Sequence, residues 1–565
     1  MNFPRINSRS ARLAIPLVVV VFLVSCSREQ KIELPKEEKK ATASVESKND
    51  LLPFLDSLEH RYEAACRQMG IANWNSYSKE AAYDLDSAKD ALGKIFLDSA
   101  SRSTIDEWRR RSSSLADKPL ARRLEMWHRC FIGGAIYADP NISKQENALQ
   151  QLITNFRRTL DGKTVSRAEV INKIRSERKQ SNRQKLWTVE SQVSAAAAES
   201  LLTLVAMRNK KASTFGFPNY YSLALHLQAI DEKWLLMTLD SLEQQTRAEF
   251  EEFITMSRKK HHLSQFGPWD FDYALREATP LPDRLFLSDS VFAILHRFEE
   301  GIGFQVDSLP IKEVVKDIPF GGLSLAISIP ADCRFLVNPT TGKGFYATAF
   351  HEYGHSLKAV HTHVEHPILK GYEWIPGAQC AAYEEGVAEM HGEFTDDSLW
   401  LASFTDAKPK QIEKYMKGRG LPTLYRLRRL MKDFAIEHEM YKNPAANMAE
   451  IERTMYKKYL LVEIDSSLPP QYAASIWYTS YPCYYQNYIL AAMIATQIQE
   501  ALSSKYGEEK ITNPELAGFM IKNLYESGEK TEWMERIRNA TGKSLEPGAY
   551  LRKLGIERSR RLTND

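Results

Sequence analysis

From about Leu51 onward, apolar residues return every three or four positions over stretches far longer than a strand. Ala195–Met207 and Trp234–Met256 are the clearest, with charged residues on the opposite face. That period is helical, and helices of this length must bury their apolar stripes against one another. Turn signals punctuate the pattern at Gly216-Phe217-Pro218-Asn219, Gly267-Pro268 and Pro280-Leu281-Pro282-Asp283. One region differs. Leu323, Leu325, Ile327 and Ile329 occupy alternate positions between Gly321-Gly322 and Pro330, and Cys333–Val337 follows after a short turn. Those two runs predict a small β-hairpin. There is no βαβ alternation and no repeat period. The expectation is a mainly α-helical protein with a minor β-hairpin beside the motif helix described below. At 565 residues the chain is long enough for a large core and more than one lobe.

Hydrophobic residues make up 43% and charged residues 26%, the proportions of a soluble globular protein. The formal net charge of +3 is accounted for by Arg5, Arg9 and Arg12, and beyond them the charges cancel. No basic field points to a nucleic-acid partner. The three arginines precede an almost wholly apolar run, Leu13–Val24, which falls short of the roughly 20 residues that span a bilayer. This is the layout of a signal peptide. It ends in Leu23-Val24-Ser25-Cys26, which resembles a bacterial lipobox. Residues 1–26 are therefore expected to be a lipoprotein signal. Lipidation at Cys26 would anchor an exported protein to a bacterial membrane, facing the periplasm or at the cell surface. Residues 27–50 are rich in Lys, Glu and Ser and nearly free of large apolar side chains, as a disordered tether would be. Residues 51–565 form the folded domain. The other cysteines, Cys66, Cys130, Cys333, Cys380 and Cys483, are odd in number and lack CxxC spacing, so buried thiols are expected. Arg426, Arg428, Arg429 and Lys432 read as a solvated helix face.

Chemistry concentrates at His351-Glu352-Tyr353-Gly354-His355. On a helix, histidines four apart lie one turn apart on one face, where two imidazoles can take two corners of a zinc tetrahedron. Glu352 sits beside them, placed to act as general base on a metal-activated water. A catalytic zinc needs a third protein ligand and an open position. Ala381–Glu393 supplies candidates, since it reads as a second helix with carboxylates between small apolar residues. Glu385 and Glu389 share a face at i, i+4. Glu385 can bind zinc while Glu389 accepts an N–H from a liganding imidazole. Glu384 is the competing ligand. His361, His363 and His366 have no spacing that recommends them, and are expected at the surface.

His351–His355 followed by a helix with E-x-x-x-E resembles the gluzincin metallopeptidases, and within them the angiotensin-converting-enzyme-like and thimet-oligopeptidase-like groups. Leu204–Asn209, Gly216–Tyr221, Pro268-Trp269-Asp270, Glu439–Pro444 and Tyr481–Tyr488 carry the resemblance further, in the family's order. It covers about residues 150 to 565. The resemblance implies a two-lobed helical clam with a deep central channel. It also implies Zn2+ on His351, His355 and Glu385, Glu352 as general base, Tyr488 as oxyanion donor, and Tyr481 and Tyr485 as cleft residues that touch a peptide substrate. Two departures stand out. The gap from His355 to Glu385 is longer than in those groups. Ile476 and Tyr478 also replace a lysine and a histidine that hold a substrate's C-terminal end. If the helix starts as early as Tyr481, then Tyr481, Tyr485 and Tyr488 line one face. The expected activity is hydrolysis of short peptides, of oligopeptidase or peptidyl-dipeptidase type, by a monomer. Two rivals are a non-catalytic peptide-binding lipoprotein and a zinc amidase acting on cell-wall peptides. The intact Glu352 counts against the first.

Overall fold

The first described helix opens with a capping box. Ser47 accepts from the backbone N–H of Asp50, and the Asp50 carboxylate accepts from the N–H of Ser47, so the first helix, Lys48–Ser78, begins at the end of the expected tether. The computed structural model describes residues 47–112, 117–276, 278, 281–318 and 320–556. Residues 1–46, with the expected signal, Cys26 and nearly all of the tether, lie outside the described residues.

The protein is mainly α-helical. Ser191–Ser213 and Glu232–Lys260 are the long helices that the periodicity predicts. The expected hairpin is present as β4 (Gly322–Ser328) antiparallel to β5 (Asp332–Val337). A third strand, β3 (Ile311–Val315), pairs in parallel with the other side of β5, giving the order β3-β5-β4. A separate short hairpin joins β1 (Arg158–Leu160) to β2 (Lys163–Val165). Among the described residues, no helix is long and apolar enough to cross a membrane. All five described cysteines are free and buried, as expected.

Three helices position the site. The motif helix, Lys343–Val360, packs between the small sheet and the glutamate helix, Ala381–Phe394. The glutamate helix in turn lies against the tyrosine helix, Tyr485–Tyr506. Phe345, Ala349, Phe350, Tyr353, Leu357 and Val360 bury most of the motif helix, leaving a half-exposed stripe of Ala347, His351 and His355 at i, i+4, i+8. Gly354 lets the two helices approach. A Cβ there would lie 2.9 Å from His391 Cδ2 and 3.1 Å from Ala388 Cα.

The motifs outside the site are clamps. Arg208, fully buried, donates to the carbonyls of Tyr478 (3.0 Å) and Thr479 (2.6 Å) and to the Tyr441 hydroxyl (3.0 Å). Asn209 donates to the Tyr441 carbonyl at 2.8 Å and accepts from the N–H of Tyr220 at 2.8 Å. Together they tie the Ser191–Ser213 helix to the segment that leads into the tyrosine helix. In the Pro268-Trp269-Asp270 turn, the buried Asp270 accepts from the buried Arg183 at 2.6 Å.

The basic cluster is a solvated face only in part: Arg426 and Arg429 are exposed, while Arg428 and Lys432 are buried. On the arginine helix, Gly420–Lys442, Arg428 is fully buried and donates to Glu243 at 2.9 Å. Lys432 is buried and pairs with Asp433 at 2.6 Å, and Arg426 reaches across to Glu389. Burial of the Arg428 guanidinium requires such a partner, and Glu243 lies 185 residues away and leaves no trace in the local pattern.

Candidate metal centre

Along the half-exposed stripe of the motif helix, His351 Nε2 and His355 Nε2 point at one another across 3.2 Å. Glu385 brings Oε2 to 3.5 Å from His351 Nε2. The three ligand atoms lie within 4.8 Å of one another. Two imidazoles and one carboxylate are the donor set of a catalytic zinc site with its fourth position open. The electrostatics ask for a cation at the centre. His351 is pushed up to about 9: burial opposes this, and the carboxylates of Glu385, Glu352 and Glu389 outweigh it. His355 is pushed down to about 3 by burial and by His351. Glu385 is held down to about 2, against its own burial, by the two histidines and Tyr484. The cluster therefore draws one positive charge to itself, and two facing imidazole lone pairs with a carboxylate suit a metal ion better than a proton. A second group, Asp56, Glu59 and His366, also converges within 4.8 Å. There Arg123 already fills the position, at 2.9 Å from Asp56 and 3.0 Å from Glu59.

Glu384 and Glu385, the two candidate ligands, differ in what each touches. Glu384 points to the other side of its helix and pairs with the buried Lys358 at 3.0 Å. Glu389 Oε2 lies 3.7 Å from His351 Nδ1, and its Oε1 accepts from Arg426 Nη1 at 3.1 Å. Glu393 pairs with Lys553. Among the described residues, Glu385 is the one carboxylate of this helix without a lysine or arginine partner.

Glu352 is 9% exposed and lies under the edge strand β4. A Cβ on Gly322 would come within 2.6 Å of its Cγ, so only glycine leaves room for this carboxylate. Burial, with the Glu385 charge adding to it and His351 opposing, pushes Glu352 up to about 7. A carboxyl poised there exchanges protons readily at neutral pH.

The tyrosines divide differently from the sequence reading. The tyrosine helix begins at Tyr485, after Cys483 adopts φ 57°, so Tyr481 does not share its face. Tyr481 closes the short helix Trp477–Ser480, is 54% exposed, and packs on Trp477 with ring centroids 4.8 Å apart. Tyr485 turns away from the histidines, its hydroxyl 2.9 Å from Ser475 Oγ. Tyr484 and Tyr488, at i, i+4, face the cluster instead. Tyr484 donates to Glu385 Oε1 at 2.8 Å. Tyr488 stacks edge-on against Tyr484 and Trp477, and burial together with the Glu385 charge holds its phenol above the usual range. Tyr478 is buried and donates to the Asp433 carbonyl at 3.1 Å.

Sequence reasoning missed Tyr484 and Arg426. Tyr484 was within reach of the same i, i+4 rule, had the helix been started three residues later. Arg426 is 37 residues from Glu389, and no local signal joins them.

No family model matches the chain, and no curated protein matches it in sequence. Solved structures do match. Trypanosoma cruzi metallocarboxypeptidase 1 is 15% identical with a TM-score of 0.59, over 88% of this chain and 98% of that one. The M32 carboxypeptidase from Deinococcus radiodurans R1 is 13% identical with a TM-score of 0.56, over 88% and 99%. An oligoendopeptidase F is 15% identical with a TM-score of 0.63, over 91% and 93%. At these identities the likeness is one of fold, and it runs nearly the full length of all three.

Proposed function

We propose that this protein is a zinc-dependent peptidase that hydrolyses short peptides. The observation that carries the reading is the convergence of His351, His355 and Glu385, with Glu352 beside them, on a fold shared with a metallocarboxypeptidase, an M32 carboxypeptidase and an oligoendopeptidase. His351, His355 and Glu385 would hold the metal, which when bound supplies Lewis acidity toward water and a peptide carbonyl. Glu352 takes the proton of the attacking water and returns it to the leaving amine. Tyr488 is assigned as donor to the developing oxyanion. Tyr484 orients Glu385. Tyr481 and Trp477 offer an aromatic wall to the peptide. A channel of the kind found in converting-enzyme-like peptidases would admit short unfolded chains and exclude folded proteins. We further propose that Cys26 is lipidated and anchors the mature protein to a bacterial membrane, which mass spectrometry of the mature N-terminus tests.

The activity is tested by metal analysis together with mass spectrometry of products from a mixed peptide digest and from cell-wall fragments. About one zinc per chain and chelator-sensitive cleavage of peptides are expected. A zinc-loaded protein that cleaves only wall fragments is an amidase. One that cleaves neither is a binder, and the peptidase reading is then wrong.

A further inference from the structure

Arg426 lies outside the liganding set, yet it touches the residue behind it. On the glutamate helix, Glu385, Glu389 and Glu393 stand in one row at i, i+4, i+8. Like charges at that spacing repel. Glu393 is neutralised by Lys553 from near the C-terminal end, and Glu385 faces the histidines. Glu389 has to serve two neighbours with its two oxygens. Oε2 faces His351 Nδ1 at 3.7 Å, and Oε1 receives Arg426 Nη1 at 3.1 Å.

The plane of a glutamate carboxylate is weakly determined by its own chain, because the terminal torsion is broad and two-fold. A partner on one oxygen therefore decides where the other points. Arg426 is well placed for this. It comes from a different helix, its guanidinium is planar and always charged, and it binds Oε1 while His351 faces Oε2. As an ion pair it does little for stability. Arg426 is 45% exposed and Glu389 27%, and solvent screens such pairs strongly. Its consequence lies in the imidazole. A carboxylate oxygen held at Nδ1 favours the tautomer with its proton there, leaving the Nε2 lone pair to face Glu385 and His355.

We infer that Arg426 is a positioning residue for the metal ligand His351, acting through Glu389. The inference rests on the peptidase reading only for the identity of the ligand set. The relay Arg426–Glu389–His351 runs from the arginine helix through the glutamate helix to the motif helix, and so couples three elements at the metal.

The test is zinc affinity, measured by competition with a chromogenic chelator for the full chain and for Arg426→Gln, Arg426→Lys, Glu389→Gln and the double variant Arg426→Gln/Glu389→Gln. Loss of an outer partner of a liganding histidine typically costs about 10–100-fold in metal affinity. Arg426→Gln is expected to weaken zinc binding by about tenfold and Glu389→Gln by at least as much. The double variant should bind no more weakly than Glu389→Gln alone, because both changes break one relay. Arg426→Lys should recover part of the loss, since it keeps the charge without the fork. The inference is overturned if zinc affinity is unchanged in Arg426→Gln, or if the two single losses multiply. It is also overturned if the variant raises only the KM for peptides, which would assign Arg426 to substrate. Absence of zinc binding by the unmodified protein would instead overturn the peptidase reading, and that result is visible without any variant.

Discussion

Tyr484 and Tyr488 lie one turn apart beside the same carboxylate, and their hydroxyls should fail in different ways when removed. The Tyr484 hydroxyl donates to Glu385 Oε1 at 2.8 Å in a half-buried setting. A hydrogen bond to a charged group contributes about 1.5–3 kcal/mol net, and each 1.4 kcal/mol is tenfold in an equilibrium constant. Tyr484→Phe should therefore weaken zinc binding by roughly 10–100-fold. The turnover of enzyme saturated with zinc should change little. The Tyr488 hydroxyl has no protein partner among the described hydrogen bonds, and its ring is held by Tyr484 and Trp477 at centroid distances of 5.3 and 5.6 Å. Phenylalanine keeps both ring contacts, so fold and metal should survive. Loss of one oxyanion donor typically costs about 10²–10³ in kcat, with KM nearly unchanged, because the donor is engaged mainly in the transition state. The assay is a zinc titration followed by steady-state kinetics at saturating zinc, on both variants. If Tyr488→Phe turns over normally while zinc-saturated Tyr484→Phe loses two orders of magnitude, the donor is Tyr484 and the assignment to Tyr488 is refuted.

Glu352→Gln should retain zinc and lose most of its turnover, because only the base is removed. Near-normal turnover would sink the mechanism. Glu385→Ala should release zinc with the fold intact. Glu384→Ala should keep zinc but destabilise the protein by about 3 kcal/mol, since it strands the buried Lys358. Metal titration and denaturant unfolding in the opposite order would move the ligand to Glu384. A pH effect is expected from Glu437, fully buried on the arginine helix, which accepts from the N–H of Cys483 at 2.8 Å. Burial pushes its carboxyl from 4.5 up to about 8. The folded state then holds a proton that the unfolded chain gives up near pH 4.5, so this group's stabilisation is complete below that pH. It is lost as pH rises toward about 8, at no more than about 1.4 kcal/mol per pH unit. Glu437→Gln removes the titration and should flatten that slope in urea unfolding between those limits. Parallel curves for the two proteins would refute it.

The helical class, the hairpin and the facing pair of histidines were legible because each is written in local periodicity. Leu323 to Ile329 alternates and becomes β4, while His351 and His355 are spaced by one turn. What escaped depends on partners remote in sequence. β3 has the same strand character as its neighbours, but its pairing with β5 crosses a loop with no local mark. Arg428 looks like a surface charge until Glu243 is brought to it from 185 residues away. The tyrosine face was misread for a more local reason. Cys483 takes a left-handed backbone conformation, uncommon for a residue with a side chain, and this breaks the chain between Tyr481 and Tyr485. The helix then starts at Tyr485, with Tyr484 at its N-cap donating to Glu385.

Why Glu385 and not its neighbour should bind the metal follows from how charge is apportioned along one helix. Four carboxylates in ten residues cannot all be left ionised in a half-buried setting without counterions. Lys358 comes to Glu384, Arg426 to Glu389 and Lys553 to Glu393, each from a different part of the chain. Only Glu385 is left facing two imidazoles and a phenol, none of which carries a permanent charge. A fixed cation at Glu385 would have competed with a metal, as Arg123 does at Glu59. The three neighbouring cations therefore define the centre by where they are placed and by the one carboxylate they leave open. The glutamate helix thus carries one glutamate, Glu385 at 18% exposure, that faces imidazoles rather than a lysine or arginine, as the proposed metal site requires.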